Sequence, residues 1–180
     1  GNTISSARTV SLNGQSPVLT TMTFSNASAS YTVAQGSGGS ITMGTENAAQ
    51  SIITNAAGTH SVSAAVALAR ATQVGVATNS KLMLSAVNGT NALDKTGTGT
   101  LSITGSGNLS GDTTVSAGTL NVNGSIASSD VTVESGAVLS GSGNVGTTTL
   151  LSGSTIRPGN SPGTLNITGD EIWYGGANYD

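Results

Sequence analysis

The chain has 180 residues, of which 36% are hydrophobic and only 7% charged, and its formal net charge is −3. This length suits one domain or one part of a longer repeat array. Cysteine is absent from the sequence, which excludes disulfides and thiolate metal sites. Five Lys and Arg form no basic patch, so nucleic acid is excluded as a partner. The most apolar stretch, residues 62–69, is too short to span a bilayer.

Short segments in which apolar and polar residues alternate run through the whole chain, a pattern typical of half-buried strands. Glycine, asparagine, serine and alanine separate them, and Pro17, Pro158 and Pro162 lie outside them, as strand chemistry requires. Residues 48–53 and 64–71 are alanine-rich and are also compatible with a helix. In chain order, the first predicted strand cores are Thr9–Leu12, Thr21–Phe24, Tyr31–Val33, Ile41–Met43, Ile52–Ile53, Val66–Leu68, Val74–Val76 and Leu82–Leu84.

The pattern Gly-Thr-Leu-x-Val/Ile-x-Gly occurs three times, at Gly99–Gly105, Gly118–Gly124 and Gly163–Gly169. Each copy is predicted to be a short strand with its Leu and Val/Ile on one face and its Thr, Ser and Asn on the other. The glycines are expected to supply the positive φ of a sharp corner. Strands and corners that repeat at short intervals predict a solenoid.

Apolar residues in the second half of the chain recur about every 18 residues. At this spacing, side chains of successive turns would stack as ladders inside the coil. The sequence therefore predicts an all-β, parallel β-helix of about nine or ten turns, a rod on the order of 45 Å long. The segment 157–162 breaks the phase and is predicted to be a loop. The predicted ladders are Val115, Val133 and Leu150, and Leu120, Val138 and Ile156.

Residues 93–105 and 111–124 resemble the autotransporter-associated β-strand repeat, also called the passenger-associated transport repeat. Residues 157–169 resemble the segment that often follows this repeat, and residues 1–92 resemble the looser β-helical sequence upstream of it. The resemblance implies a right-handed parallel β-helix in a very large bacterial protein that is extracellular or attached to the cell surface at the outer membrane. It also implies a structural repeat without catalytic residues, and no cofactor is expected.

Three parts are predicted from this resemblance. Residues 1–92 form a β-helix with irregular turns, residues 93–170 a β-helix with the repeats, and residues 171–180 begin a following element. The last residues show no terminating signal, so the chain is expected to be a fragment of something longer or a processed product.

Asp112 and Asp130 form the best acidic pair, since each lies three residues before a ladder valine. They are expected to stack on adjacent turns at the same outer edge, with Cβ atoms about 5 Å apart. Two carboxylates that close can recruit a cation or serve a sugar-cleaving enzyme. The simpler interpretation, which we favour, is two solvated aspartates at turn entrances.

His60 is the only histidine of the sequence and would be needed by any Ser-His-Asp triad. The sequence around it indicates neither an oriented acid nor an oxyanion hole, so His60 is expected to face solvent.

Trp173, Tyr174 and Tyr179 concentrate most of the aromatic residues near the end of the sequence. They could form a carbohydrate platform or a docking surface. A change of core where the helix meets its next element is the favoured interpretation.

These patterns favour a non-enzymatic structural or display segment, which could form part of a fibre or surface layer. Two alternatives stay open: an adhesin that binds glycans or cells through its exposed Thr, Asn and Ser, and a carbohydrate-active β-helix enzyme. Open strand edges at the two ends of a coil can add further strands. The expected partners are therefore a continuation of the same β-helix or other copies of the chain, and surface glycans in the adhesin alternative.

Overall fold

A computed structural model describes residues 6–159 and 163–180 of the chain. In these residues it contains 24 strands and no helix, and the strands wind into a β-solenoid whose neighbouring strands run parallel. The alanine-rich segments are strands: Ser51–Asn55 and Ala65–Leu68 both belong to sheets. Consequently no helix of the described part is long and apolar enough to cross a membrane.

Two long sheets form two faces of the coil. The nine-stranded sheet contains β1 (Arg8–Ser11), β4 (Tyr31–Ala34), β7 (Thr59–Val62), β10 (Lys81–Leu84), β13 (Thr100–Ile103), β15 (Thr119–Val122), β18 (Val138–Gly141), β21 (Thr155–Pro158) and β24 (Asn178–Tyr179). The eight-stranded sheet contains β3 (Thr21–Phe24), β6 (Ser51–Asn55), β9 (Thr72–Val76), β12 (Leu93–Thr96), β14 (Thr113–Val115), β17 (Val131–Val133), β20 (Thr148–Leu150) and β23 (Glu171–Trp173).

The third face consists of two shorter sheets. The first contains β2 (Val18–Leu19), β5 (Ser40–Met43), β8 (Ala65–Leu68) and β11 (Val87–Asn88), and the second β16 (Ser125–Ile126), β19 (Asn144–Val145) and β22 (Asn166–Ile167). Isolated bridges from Gly89 to Leu109 and from Ser106 to Ser125 link the two. The described residues thus make about eight turns, close to the nine or ten predicted, and the parallel β-helix is confirmed.

The predicted ladder of Val115, Val133 and Leu150 is confirmed. These residues are in register across β14, β17 and β20, and all three are fully buried. Stacked apolar side chains of this kind form the continuous interior of the coil, since each turn alone is too small to enclose a core.

The second predicted ladder is wrong at one position. Leu120 and Ile156 are stacked through Leu139, whereas Val138 pairs with Thr119 and is only half-buried. The corner before β18, residues 134–137, has one residue more than the corner before β15, residues 116–118. The extra residue shifts the following strand by one, which turns Val138 away from the interior.

The three copies of the glycine-bounded pattern do not occupy one face. The first two copies form β13 and β15 of the nine-stranded sheet, whereas the third contributes β22 to the third face. Gly118 has the expected positive φ, +68°. Gly124 closes its copy for a different reason: a Cβ there would collide with the carbonyl oxygen of Gly105 on the preceding turn. Close backbone approach therefore requires the closing glycine.

The loop predicted over residues 157–162 is wrong in its first part. Arg157 and Pro158 end strand β21, where they pair with Ser140 and Gly141. Gly159 follows with a φ of +84°. The rest of the predicted loop, including Pro162, lies outside the described residues. The predicted division of the chain at residue 93 stays a prediction. The sheet continues through this position, since β12, which begins at Leu93, pairs both with β9 and with β14.

Candidate functional site

Asp112 and Asp130 occupy equivalent positions on adjacent turns, directly before the paired strands β14 and β17. The backbone of Thr113 donates a hydrogen bond to the carbonyl oxygen of Asp130 over 2.8 Å, which fixes the two turns against each other. Both aspartates are exposed. Among the described residues no group of three or more His, Cys, Asp or Glu could hold a metal ion.

We expect calcium to leave the thermal unfolding midpoint of the chain unchanged at millimolar concentration, because two exposed carboxylates supply few of the six to eight oxygen ligands that calcium takes. Differential scanning calorimetry with and without calcium measures this. The matched control carries Asp112→Asn and Asp130→Asn, and each change should alter the free energy of unfolding by less than about 0.5 kcal/mol. A calcium-dependent rise that disappears in the control would contradict the expectation.

The prediction that His60 faces solvent is wrong. Its side chain is 1% exposed and points into the coil, in register with Leu82 of the next turn. The imidazole lies between the rings of Phe24 and Tyr31, with centroid distances of 5.1 and 5.2 Å and nearly parallel planes. Aromatic stacking and hydrogen bonds to backbone groups therefore make the inside of the coil a suitable place for this histidine.

The hydrogen bonds of His60 also determine its tautomer. Nδ1 accepts a hydrogen bond from the backbone N–H of Tyr31 over 2.9 Å, so this nitrogen carries no proton. Nε2 lies 2.9 Å from the carbonyl oxygen of Ala57 and must donate to it. Both ring nitrogens are thus bound by backbone groups, and His60 is not placed to act as a catalytic base.

Replacing His60 with phenylalanine should lower the free energy of unfolding by about 1–2 kcal/mol, because the backbone N–H of Tyr31 then loses its acceptor while stacking persists. Chemical denaturation of the two proteins measures the difference. Thr59→Val, an exposed change at the neighbouring position, is the control and should have little effect. An unchanged stability of the His60→Phe protein would show that the hydrogen bond to Tyr31 contributes nothing.

Sequence reasoning missed Lys95, whose side chain lies inside the coil. Lys95 is in register with Val74 and Val115, and it is fully buried. The signal that could have found it is its place one turn before Val115 in the predicted ladder. Its Nζ donates to three backbone carbonyl oxygens: those of Thr96 at 2.9 Å, Gly97 at 2.7 Å and Ala117 at 2.9 Å.

Burial lowers the pKa of Lys95 from its usual 10.5 to about 8, because removal from water disfavours the ammonium form. The negative charge of neighbouring Asp94 acts in the opposite direction and raises this pKa. The carboxylate of Asp94 accepts a 2.6 Å hydrogen bond from the hydroxyl of Ser116. The ammonium therefore depends on the three carbonyl oxygens for its hydrogen bonds.

The aromatic residues near the end of the sequence continue the interior ladders. Trp173 follows Leu150, and Tyr179 follows Ile156, but 42% and 71% of these two residues are exposed. Tyr174 is exposed too. A half-open cavity of about 180 Å³ lies beside Tyr179, lined by Ile156, Pro158, Gly163, Thr164, Leu165, Ile167, Glu171 and Tyr179. At this end the interior of the coil is thus open to solvent.

Parts of the chain are similar to known proteins. Residues 93–122 match the family model of the passenger-associated-transport-repeat. Over 94 residues the chain is 39% identical to the extracellular serine protease of Serratia marcescens, a match that covers 52% of this chain and 9% of that protein. No solved structure matches the chain significantly.

These matches confirm the resemblance noted from residues 93–105 and 111–124. Residues 93–122 carry the passenger-associated transport repeat, and the two matches together support a passenger segment of a secreted or cell-surface protein. Its location is extracellular or on the cell surface.

Proposed function

We propose that this chain is a non-enzymatic spacer, which holds other parts of a secreted or surface protein away from the cell. The observation that carries the proposal is the parallel pairing of the eight-stranded sheet from β3 to β23 without a break. Each inner turn is hydrogen-bonded to the turns on both sides of it, so the backbone groups are satisfied and the rod resists bending.

A deletion of one whole turn tests the proposal. Removing residues 119–137 joins Gly118 to Val138, and it brings β18 onto β13 with the same inward faces. We expect a folded rod that is shorter by about 5 Å in small-angle X-ray scattering. The control deletes residues 119–128, about half a turn, and should not fold cooperatively. A collapsed full-turn deletion, or hydrolysis of polysaccharide or peptide by the purified chain, would contradict the proposal.

An adhesin is the second candidate, and the exposed Trp173, Tyr174 and Tyr179 favour it. Aromatic rings with one accessible face are suited to stack on sugar rings. Screening the chain on a glycan array, with Trp173→Ala and Tyr179→Ala as matched variants, tests this function. Glycan binding that both substitutions abolish would support an adhesin. A chain that binds no glycan would favour the spacer function.

End-to-end association is a further part of the proposal. β23 and β24 each have one unpaired edge among the described residues, and so have β1 and β3 at the opposite end. Val10, at 58% exposure, and Tyr179 leave apolar surface at these two ends. Strand addition between copies would build a fibre, since head-to-tail contacts do not close. Light scattering over a concentration series tests this association, and a chain that stays monomeric at high concentration contradicts it.

A further inference from the structure

Successive turns of this coil are so alike that their pairing is poorly determined by the apolar core alone. β13 and β15 have the sequences TLSI and TLNV, and β14, β17 and β20 have TTV, VTV and TTL. A strand that paired one turn too far along would bury the same kinds of side chains. Such competing arrangements of similar free energy broaden the folded state unless some residue excludes them.

Lys95 is the exception in the interior ladder of the eight-stranded sheet. The turns before and after it place Val74 and Val115 at the same position. Lys95 is the one fully buried charged side chain among the described residues. An ammonium group in such a place is costly unless all of its N–H groups are hydrogen-bonded.

The native register completes the set of hydrogen bonds that this ammonium needs. The carbonyl oxygens of Thr96 and Gly97 come from the corner after β12, and that of Ala117 comes from the corner of the next turn. The three distances of 2.7–2.9 Å account for the three N–H groups of the ammonium. Because the carbonyl of Ala117 belongs to the following turn, the cradle forms only when β14 lies next to β12.

The corner itself is shaped for this side chain. Gly97 has a φ of +73° and stacks on Val76 of the preceding turn. Where the preceding turn has a buried valine, the Lys95 turn therefore has no side chain, and the ammonium lies against that glycine.

We propose that Lys95 is a register-determining residue, whose ammonium specifies that β14 packs on β12 and so sets the alignment of all following turns. Every other register takes the carbonyl oxygen of Ala117 away from the ammonium and leaves it only the two acceptors of its own corner, and such registers are excluded by their free energy. A buried polar residue that fixes alignment at one point of an otherwise repetitive interface acts by the same principle in coiled coils.

The charged neighbours of Lys95 are few. Asp94 lies on the same strand, and its carboxylate is bound by Ser116. β9, β14 and the corners at residues 97–99 and 116–118 have no titratable side chain. Of the nearby strands of the opposite sheet, β13 has none and β10 has only Lys81, which is exposed on the outside. A test can therefore change the charge of Lys95 without changing the charge of another side chain packed against it.

The test compares the wild-type chain with Lys95→Met after unfolding and refolding. Hydrogen exchange followed by mass spectrometry reports each population of molecules separately. We expect one population for the wild-type chain, and for Lys95→Met a second one, on the order of 10% of molecules, with altered exchange in residues 93–150. Lys81→Met removes an exposed lysine with the same change of charge and should give one population. A single, wild-type exchange pattern in Lys95→Met overturns the proposal.

A second measurement needs no substitution, and it applies if the Lys95→Met protein fails to fold. The wild-type chain is refolded at pH 7 and at pH 10.5, and both samples are brought to pH 7 and labelled at once, before unfolding can interconvert the registers. An uncharged amine is far cheaper to bury without acceptors, so the sample refolded at pH 10.5 should contain the second population. Identical exchange patterns in the two samples, with Lys95→Met unfolded, would show that Lys95 acts in stability and does not determine the register.

Discussion

Replacing Val133 with aspartate is expected to abolish folding of the chain at neutral pH. Val133 is fully buried between Val115 and Leu150, and these two apolar side chains offer a carboxylate neither a cation nor a hydrogen-bond donor. An unpaired charge in such a place lowers the free energy of unfolding by more than about 4 kcal/mol, a large part of the stability of an ordinary domain. Circular dichroism and chemical denaturation measure the loss.

Thr132→Asp is the matched control, because it introduces the same carboxylate one residue away in the same strand. Thr132 faces outwards and is half-exposed, in register with Thr114 and Thr149. We expect the control to stay folded, with a change of less than about 1 kcal/mol. Equal damage from both substitutions would mean that the strand does not have an inner and an outer face.

The second large effect is a rise of stability with pH that depends on Lys95. Its pKa is about 8 in the folded chain, against 10.5 in the unfolded chain. Between these two values the unfolded state binds the proton and the folded state does not, so the free energy of unfolding increases with pH. The contribution is lost as the pH falls through 8, and it is complete above 10.5. Its size is about 3 kcal/mol, since one pKa unit corresponds to 1.36 kcal/mol.

Denaturant unfolding of the wild-type chain and of Lys95→Met, at a series of pH values from 7 to 10.5, isolates this term. The difference between the two free energies of unfolding should shift in favour of the wild-type chain as the pH rises. Lys81→Met corrects for the loss of an ordinary lysine. A difference that stays constant over this range would mean that Lys95 keeps an ordinary pKa in the folded chain.

Much of the architecture could be predicted from the sequence because the core residues of a solenoid recur at a regular spacing. The ladder of Val115, Val133 and Leu150 needed only that period and the alternation of inward and outward residues. The ladder through Val138 failed because corner length is set by local backbone geometry, and one additional residue in the corner at 134–137 changes which side chain points inwards.

The buried polar residues His60 and Lys95 were missed for a different reason. Lysine is almost always placed on the surface and histidine often is, because burial without partners is costly. The partners that make burial acceptable here are backbone groups distant in sequence, such as the N–H of Tyr31 for His60 and the carbonyl of Ala117 for Lys95. No residue type in the sequence indicates these backbone partners, and only the folded coil brings them close to His60 and Lys95.

The corner at residues 134–137 has a consequence for how such a rod can change over evolutionary time. It accommodates one residue more than its predecessor, while Leu139 takes the inward place and β18 still pairs with β15 and β21. Insertions at corners therefore leave the stack of turns intact, whereas insertions within a strand would turn the inner face outwards. A corner could lengthen into a projecting loop, and new specificity could be acquired there without redesigning the rod.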